Sequence, residues 1–377
     1  EAGGLVGQSN GAIDRSSTNN TVTANGSRVG GLVGQSNGNI SNASASGTVT
    51  ANGSSAGGLV GQSDGIVSNS EASGDVSVEG DEAGGLIGRS TGDVKNASAS
   101  GNVTANGSRA GGLVGQSDGN VTSSSASGDV SAGEDEAGGL IGQSDGAVDT
   151  SSASGNATTN GSRAGGLVGQ ANGTVSNSEA SGDVSAGGNE AGGLLGQSNA
   201  AVNNASASGT VSADGSRVGG LIGQSDGDVT SSTANGTVNA SGNEAGGLVG
   251  QSNAAVKNSS ASGDVSANGN TVGGLLGESN GAVSSSTASG DVSATGPNTG
   301  ALIGNQSSEK AITDSAASGD VQVDGNSTGD LVGGAGDSLT LPSVETVTIT
   351  DETNDDSTLT PGDSARVTVE TGFGTIS

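Results

Sequence analysis

Aliphatic residues recur along this chain at a fixed interval. In the stretch Gly3 to Ser9, Gly-Gly-Leu-Val-Gly-Gln-Ser, the leucine is Leu5, and its equivalents are Leu32, Leu59, Leu86, Leu113, Leu140, Leu167, Leu194, Leu221, Leu248, Leu275 and Leu302, each 27 residues after the last. A thirteenth, Leu331, arrives after 29. A constant period of this size marks a stacked repeat architecture. Around the leucine the polar and apolar positions keep phase as well. Eight residues on, the column reads Ile13, Ile40, Val67, Val94, Val121 and so on to Val283; thirteen on it is alanine from Ala45 to Ala288; seventeen on it is valine, with Ala157 as the exception.

Within one repeat, Ala110 to Glu136, the pattern predicts three short strands and three turns. Gly111 to Gly115 is the first strand, and Asp118-Gly119 is a tight-turn signal after it. A segment with Val121 and Ala126 follows, then a corner at Ser127-Gly128, then Asp129 to Ala132 in the polar/apolar alternation of a half-buried strand. No helical periodicity appears. Three strands in one repeat predict an all-β chain, a β-solenoid of about twelve 27-residue coils stacked roughly 4.8 Å apart. One coil buries too few branched side chains to offset the ordering of its own backbone, so folding depends on neighbours.

The column four before the leucine checks that register independently. It reads Glu1, Arg28, Ser55, Glu82, Arg109, Glu136, Arg163, Glu190, Arg217, Glu244, Thr271, Asn298. Acid and base alternate, which makes sense when each residue touches its equivalent one repeat away, because opposite charges on facing strands help and like charges hurt. Exposed pairs are worth about 0–1 kcal/mol, so the run Glu82, Arg109, Glu136, Arg163, Glu190, Arg217 and Glu244 reads as a register ladder. A glutamine column, Gln8, Gln35, Gln62, then Arg89, then Gln116 to Gln251, predicts amides bonded along the axis.

Leu113 and Val114 are adjacent, and neighbours in a strand point to opposite faces. The expectation is therefore an outward aliphatic stripe of Val6, Val33, Val60, Ile87, Val114 and Ile141, flanked by glycines that let another backbone approach. Such a stripe suits a second copy of the chain, or a covering segment of the same one.

Leu, Ile, Val and Phe together make up about 17% of the chain, which on composition alone reads as disorder. The period overrules that reading. Acidic residues outnumber basic ones by 39 to 10, for a net charge of −29. The excess argues against nucleic acid and anionic membrane surfaces as partners. With its scarce lysine it resembles the surfaces of salt-adapted proteins. No apolar run reaches membrane-spanning length and no signal peptide is visible. The chain opens in mid-repeat at Glu1-Ala2, as in Asn189-Glu190-Ala191, which points to a processed product or a piece of a longer polypeptide.

The repeated Gly-Leu-[Val/Ile/Leu]-Gly resembles the GLUG motif of bacterial and archaeal surface proteins, adhesins and some immunoglobulin-A peptidases, over Gly3 to about Gly333. The resemblance implies an extracellular cell-surface protein, structural or adhesive, with itself, other surface proteins or glycans as partners, and the acidic, lysine-poor composition points to a halophile. The peptidase activity does not carry over, because it needs a His-Glu-x-x-His zinc site and this chain has no histidine. With no His and no Cys to activate a nucleophile, catalysis is not expected.

Two domains are expected: the solenoid over residues 1–336 and a C-terminal β segment over 337–377, with strands at Val344 to Thr350 and Ala365 to Glu370, as a cap or the start of an immunoglobulin-like domain. A self-assembling filament, joined end to end or by strand donation, is the alternative to the adhesive reading. Weak calcium candidates are Asp264, Asp291 and Asp320 in one column and Asp351 and Asp355 in an acidic loop, although a solvated acidic surface explains them as well. Otherwise no cofactor is expected. Sequons at Asn25, Asn52, Asn106, Asn160, Asn172 and Asn235 are candidate glycosylation sites.

Overall fold

The structure, a computed structural model, describes residues 1–306, 310–323, 326–328, 331–333, 344–351, 365–371 and 374–376. Every regular element among them is a strand. Each coil carries five, here given for the coil that starts at Arg109. The first is Arg109–Gly111, the second Val114–Ser117, the third Val121–Thr122, the fourth Ser125–Ala126 and the fifth Val130–Ala132. The three expected stretches are present, but two are divided. Gly112 and Leu113 bend the chain between the first and second strands, and Ser123 breaks the third from the fourth by taking φ 51°.

Like strands stack into parallel sheets, four of twelve strands and a fifth of thirteen. The register is one repeat at nearly every step: Arg109 pairs with Glu136, Val114 with Ile141, Val121 with Val148. Past residue 305 an insertion lengthens the step, so that Val283 meets Ile312, and stacking still resumes. The last strand of the fifth sheet, Asn326–Thr328, runs antiparallel to Val321–Val323 and covers its edge. Separately, Val344–Asp351, Ala365–Thr371 and Gly374–Ile376 form a three-stranded antiparallel sheet.

Two apolar columns run through the coils. The larger joins the motif leucines, the residues after them, the valine column of the third strands and the alanines of the fourth. The smaller lies between first and fifth strands, with Ala110, Val130 and Ala132 as one layer. It divides at the coil holding Ala157 and Thr159, where other coils carry larger or apolar residues, and resumes at Ala164.

The expected outward stripe is overturned. Val33, Val60, Ile87, Val114 and Ile141 are 0% exposed, like the leucines before them, and Val6 in the first coil is half-buried. Strand alternation fails because the bend resets it: the N–H groups of Leu113 and Val114 both donate to the carbonyl of Leu140, at 2.8 and 3.0 Å. Successive amides in a regular strand point opposite ways. Here they point the same way, and both side chains enter the core.

The glycines beside the stripe do admit a close backbone, and that backbone is the chain's own. A Cβ on Gly112 would stand 2.1 Å from the carbonyl oxygen of Gly139, and one on Gly111 would stand 2.0 Å from that of Val114. First and second strands therefore lie too close for any side chain between them.

Candidate functional site

The surface is a set of polar columns, and the charged one is the most connected. Arg109 reaches Glu82 through Nη1 at 3.3 Å and Glu136 through Nε at 3.2 Å; Arg163 reaches Glu136 at 2.7 Å and Glu190 at 3.0 Å; Arg217 closes on Glu190 at 3.1 Å. Glu244 pairs with Arg217 in backbone register, while the guanidinium turns back to Glu190 and to Gln224. Glu82, Glu136 and Glu190 are buried, at 5–7% exposure. Burial raises the Glu136 carboxyl above its usual range despite two arginines. Burial, with Glu278 as a like charge nearby, does the same to Glu244.

The glutamine column works differently from expectation. Its amide oxygens accept from the arginine seven residues earlier, as in Arg109 to Gln116 at 3.0 Å and Arg217 to Gln224 at 2.6 Å, and its amide nitrogens donate two residues onward, as in Gln116 to Asp118 at 3.2 Å. The bonds cross between strands because the arginines lie within reach and are better donors than a stacked amide. Where the coil carries Glu190 instead of arginine, the buried Oε1 of Gln197 has no partner among the described residues.

Serine columns close the corners, a role the sequence did not announce. Ser117 Oγ donates to the Gly119 carbonyl at 2.9 Å, and Ser124 Oγ donates to that of Thr122 at 2.8 Å; both serines are buried. The aspartate column is likewise used internally. Asp264 Oδ1 accepts from the Asp291 amide at 3.0 Å, and Asp291 Oδ1 from the Asp320 amide at 2.9 Å. Among the described residues no group of three acidic, histidine or cysteine side chains comes together to hold a metal. Asp351 ends a strand, and Asp355 lies outside the described residues.

The sequon asparagines Asn25, Asn52, Asn106, Asn160, Asn172 and Asn235 are all exposed. Several already bond between coils: Asn52 donates to Asn25 at 2.8 Å, Asn106 to Glu79 at 2.7 Å and Asn172 to Asp145 at 2.6 Å.

One more column shapes the surface. Each coil places one non-glycine residue at positive φ between its third and fourth strands, among them Asn42, Asn69, Asn96, Thr150, Asn177 and Asn204. Asparagine tolerates this conformation better than other side chains. Two sections of a shallow, open trough lie along the corner thus made. One section, about 480 Å³, is lined by Asn42, Asn69 and Asn96 with Ser44, Glu71 and Ser98; another, about 470 Å³, by Thr150, Asn177 and Asn204 with Ser152, Glu179 and Ser206. The two sections are four coils apart and each has its glutamate in the middle coil. The signal was in the sequence, since Ser68 to Ser77 and Ser176 to Ser185 are the same ten residues. Only the fold shows that they face a trough. Among the described residues no helix is long and apolar enough to cross a membrane.

A protein-family model described as the GLUG motif matches the chain in seven stretches, residues 25–50, 52–77, 81–104, 106–131, 160–185, 214–239 and 241–266. Neither the curated proteins nor the solved structures contain a match to the chain.

Proposed function

Starting from a GLUG-motif repeat protein folded as a β-solenoid, we propose that this chain is a stiff structural and adhesive module of a microbial cell exterior, a rod of about 55–60 Å. The observation that carries the reading is the division of its columns. From Leu32 to Leu302 the motif leucines and the residues after them lie in the core of the stacked coils, while the accessible walls repeat amides and hydroxyls from coil to coil, with carboxylates among them. A surface of that kind offers the same polar groups many times along one axis, which suits spacing and multivalent contact.

Extracellular placement, adaptation to high salt in an archaeal host and glycosylation at the exposed asparagines belong to the same proposal. Their support is the acidic, lysine-poor composition and the exposure of the sequons. The role needs no cofactor and no catalytic group.

The alternative, a subunit of a self-assembling filament, has less behind it. The aliphatic stripe that would join rods side by side is inside the core, and the antiparallel strand Asn326–Thr328 covers the edge where the fifth sheet would accept a further coil. Negative-stain microscopy of the chain in molar salt separates the two: isolated rods of the stated length support the module, and long threads replace it with the filament. Antibody labelling of intact cells tests the placement; label that appears only after lysis refutes it.

A further inference from the structure

Two sections of the trough hold the same arrangement. Glu71 pairs in backbone register with Ser44 on one side and Ser98 on the other, and Glu179 pairs likewise with Ser152 and Ser206. Among the described residues, these carboxylates and the four flanking hydroxyls have no hydrogen-bond or ion-pair partner. The asparagines beside them are tied to one another, Asn204 donating to Asn177 at 2.8 Å and Asn96 to Asn69 at 3.3 Å, so the wall behind the glutamates is held in place. Elsewhere in that column the fourth strands present serine or threonine, or Ala316 in the last of them. The chain thus repeats an unpaired carboxylate between two unpaired hydroxyls, in two shallow polar hollows along one corner, at a separation of four coils or about 19 Å.

We propose that this trough binds an extended amino-sugar polymer lying along the rod. The hydroxyls and amides of the wall match a polyhydroxylated chain, and Glu71 and Glu179 each receive one ammonium group of its deacetylated units. The described lining holds no aromatic side chain, so binding is polar and weak at each section, and one chain spanning both sections supplies the avidity. This deepens the adhesive part of the proposed function and rests on it, since it names the ligand class for that surface.

The test is calorimetric titration of the whole chain at low ionic strength with three probes: a glucosamine oligomer long enough to span both sections, its fully N-acetylated counterpart, and an oligolysine of similar length. The expected result is binding of the glucosamine oligomer, weakened about two- to fivefold by Glu71→Gln or Glu179→Gln alone and by at least the product of the two in the double variant. The charge-matched control Asp81→Asn with Asp264→Asn leaves it unchanged. Equal binding of the N-acetylated oligomer overturns the carboxylate–ammonium contact. Equal or tighter binding of oligolysine overturns the sugar assignment, as does an equal loss in the control. A rod of full length that ignores the glucosamine oligomer removes this inference and leaves the spacer role standing, whereas long threads under the microscope remove the proposed function itself.

Discussion

Deleting whole coils tests whether the charged column sets the register, because coils share the stacked leucine and valine columns and differ in its sign. Removing residues 163–189 excises one repeat and places Glu190 directly on Glu136. Removing 163–216 excises two and places Arg217 there instead, restoring alternation. In the shorter deletion both glutamates lose Arg163, which bonds them at 2.7 and 3.0 Å, and each keeps only its outer arginine. Two buried carboxylates at one strand spacing, about 4.8 Å, repel by about 3 kcal/mol at an effective dielectric near 20. Stability in stacked repeats otherwise grows with their number, so length alone ranks the one-coil deletion above the two-coil deletion. The ladder reverses that order. Urea unfolding at pH 7 is expected to show the one-coil deletion as the weaker, by about 3 kcal/mol less the contribution of its extra coil, with the order returning to that of length near pH 4 as the carboxylates take up protons. A ranking by length at pH 7 refutes the argument.

Three further outcomes follow from the geometry. Gly112→Ala is expected to cost about 3 kcal/mol or more, because its Cβ meets the Gly139 carbonyl at 2.1 Å, whereas Gly11→Ala, with open space around it, changes stability by less than about 1 kcal/mol; thermal unfolding of the two variants compares them. Ala157→Val restores the valine found one coil away at Val130, fills the break in the smaller core and is expected to stabilise by about 1 kcal/mol in urea titration, whereas Thr159→Ala is expected to destabilise, because the buried Thr159 hydroxyl donates to the Glu134 carbonyl and accepts from the Gly161 amide. Stability is also expected to rise on mild acidification. Glu136 and Glu244 have folded pKa values raised above the ordinary 4.5, so their contribution is fully present below that value and is lost as pH rises through the folded one. Asp14, Asp93 and Asp149 are lowered, by hydrogen bonds from Asn42, from Lys95 and from Ser176 respectively, so their contribution holds above 3.8 and fades as pH falls further. A maximum between these windows, flattened on its alkaline side by Glu136→Gln, is the result to look for in melting curves against pH.

Much of this architecture was legible from columns alone. The leucine period and the alternation of Glu82, Arg109 and Glu136 specify which residues stack, because contact between equivalents leaves the same record at every repeat. The coil length and the parallel register follow from pattern in that way, and the terminal strands Val344–Asp351 and Ala365–Thr371 from the local run of Thr and Val outside the repeats. What a column does not record is the path of the chain within one coil. Leu113 and Val114 both turn inward because two amides share the Leu140 carbonyl, a backbone choice that no side chain marks. The glutamines meet arginines seven residues away only because the first and second strands press together over glycine, and Glu71 and Glu179 face a trough only because the residue at each corner takes positive φ. Periodicity therefore determined what lies above and below each residue. The tertiary structure decided what lies beside it, since lateral neighbours depend on bends whose dihedral angles are set by packing of the whole cross-section.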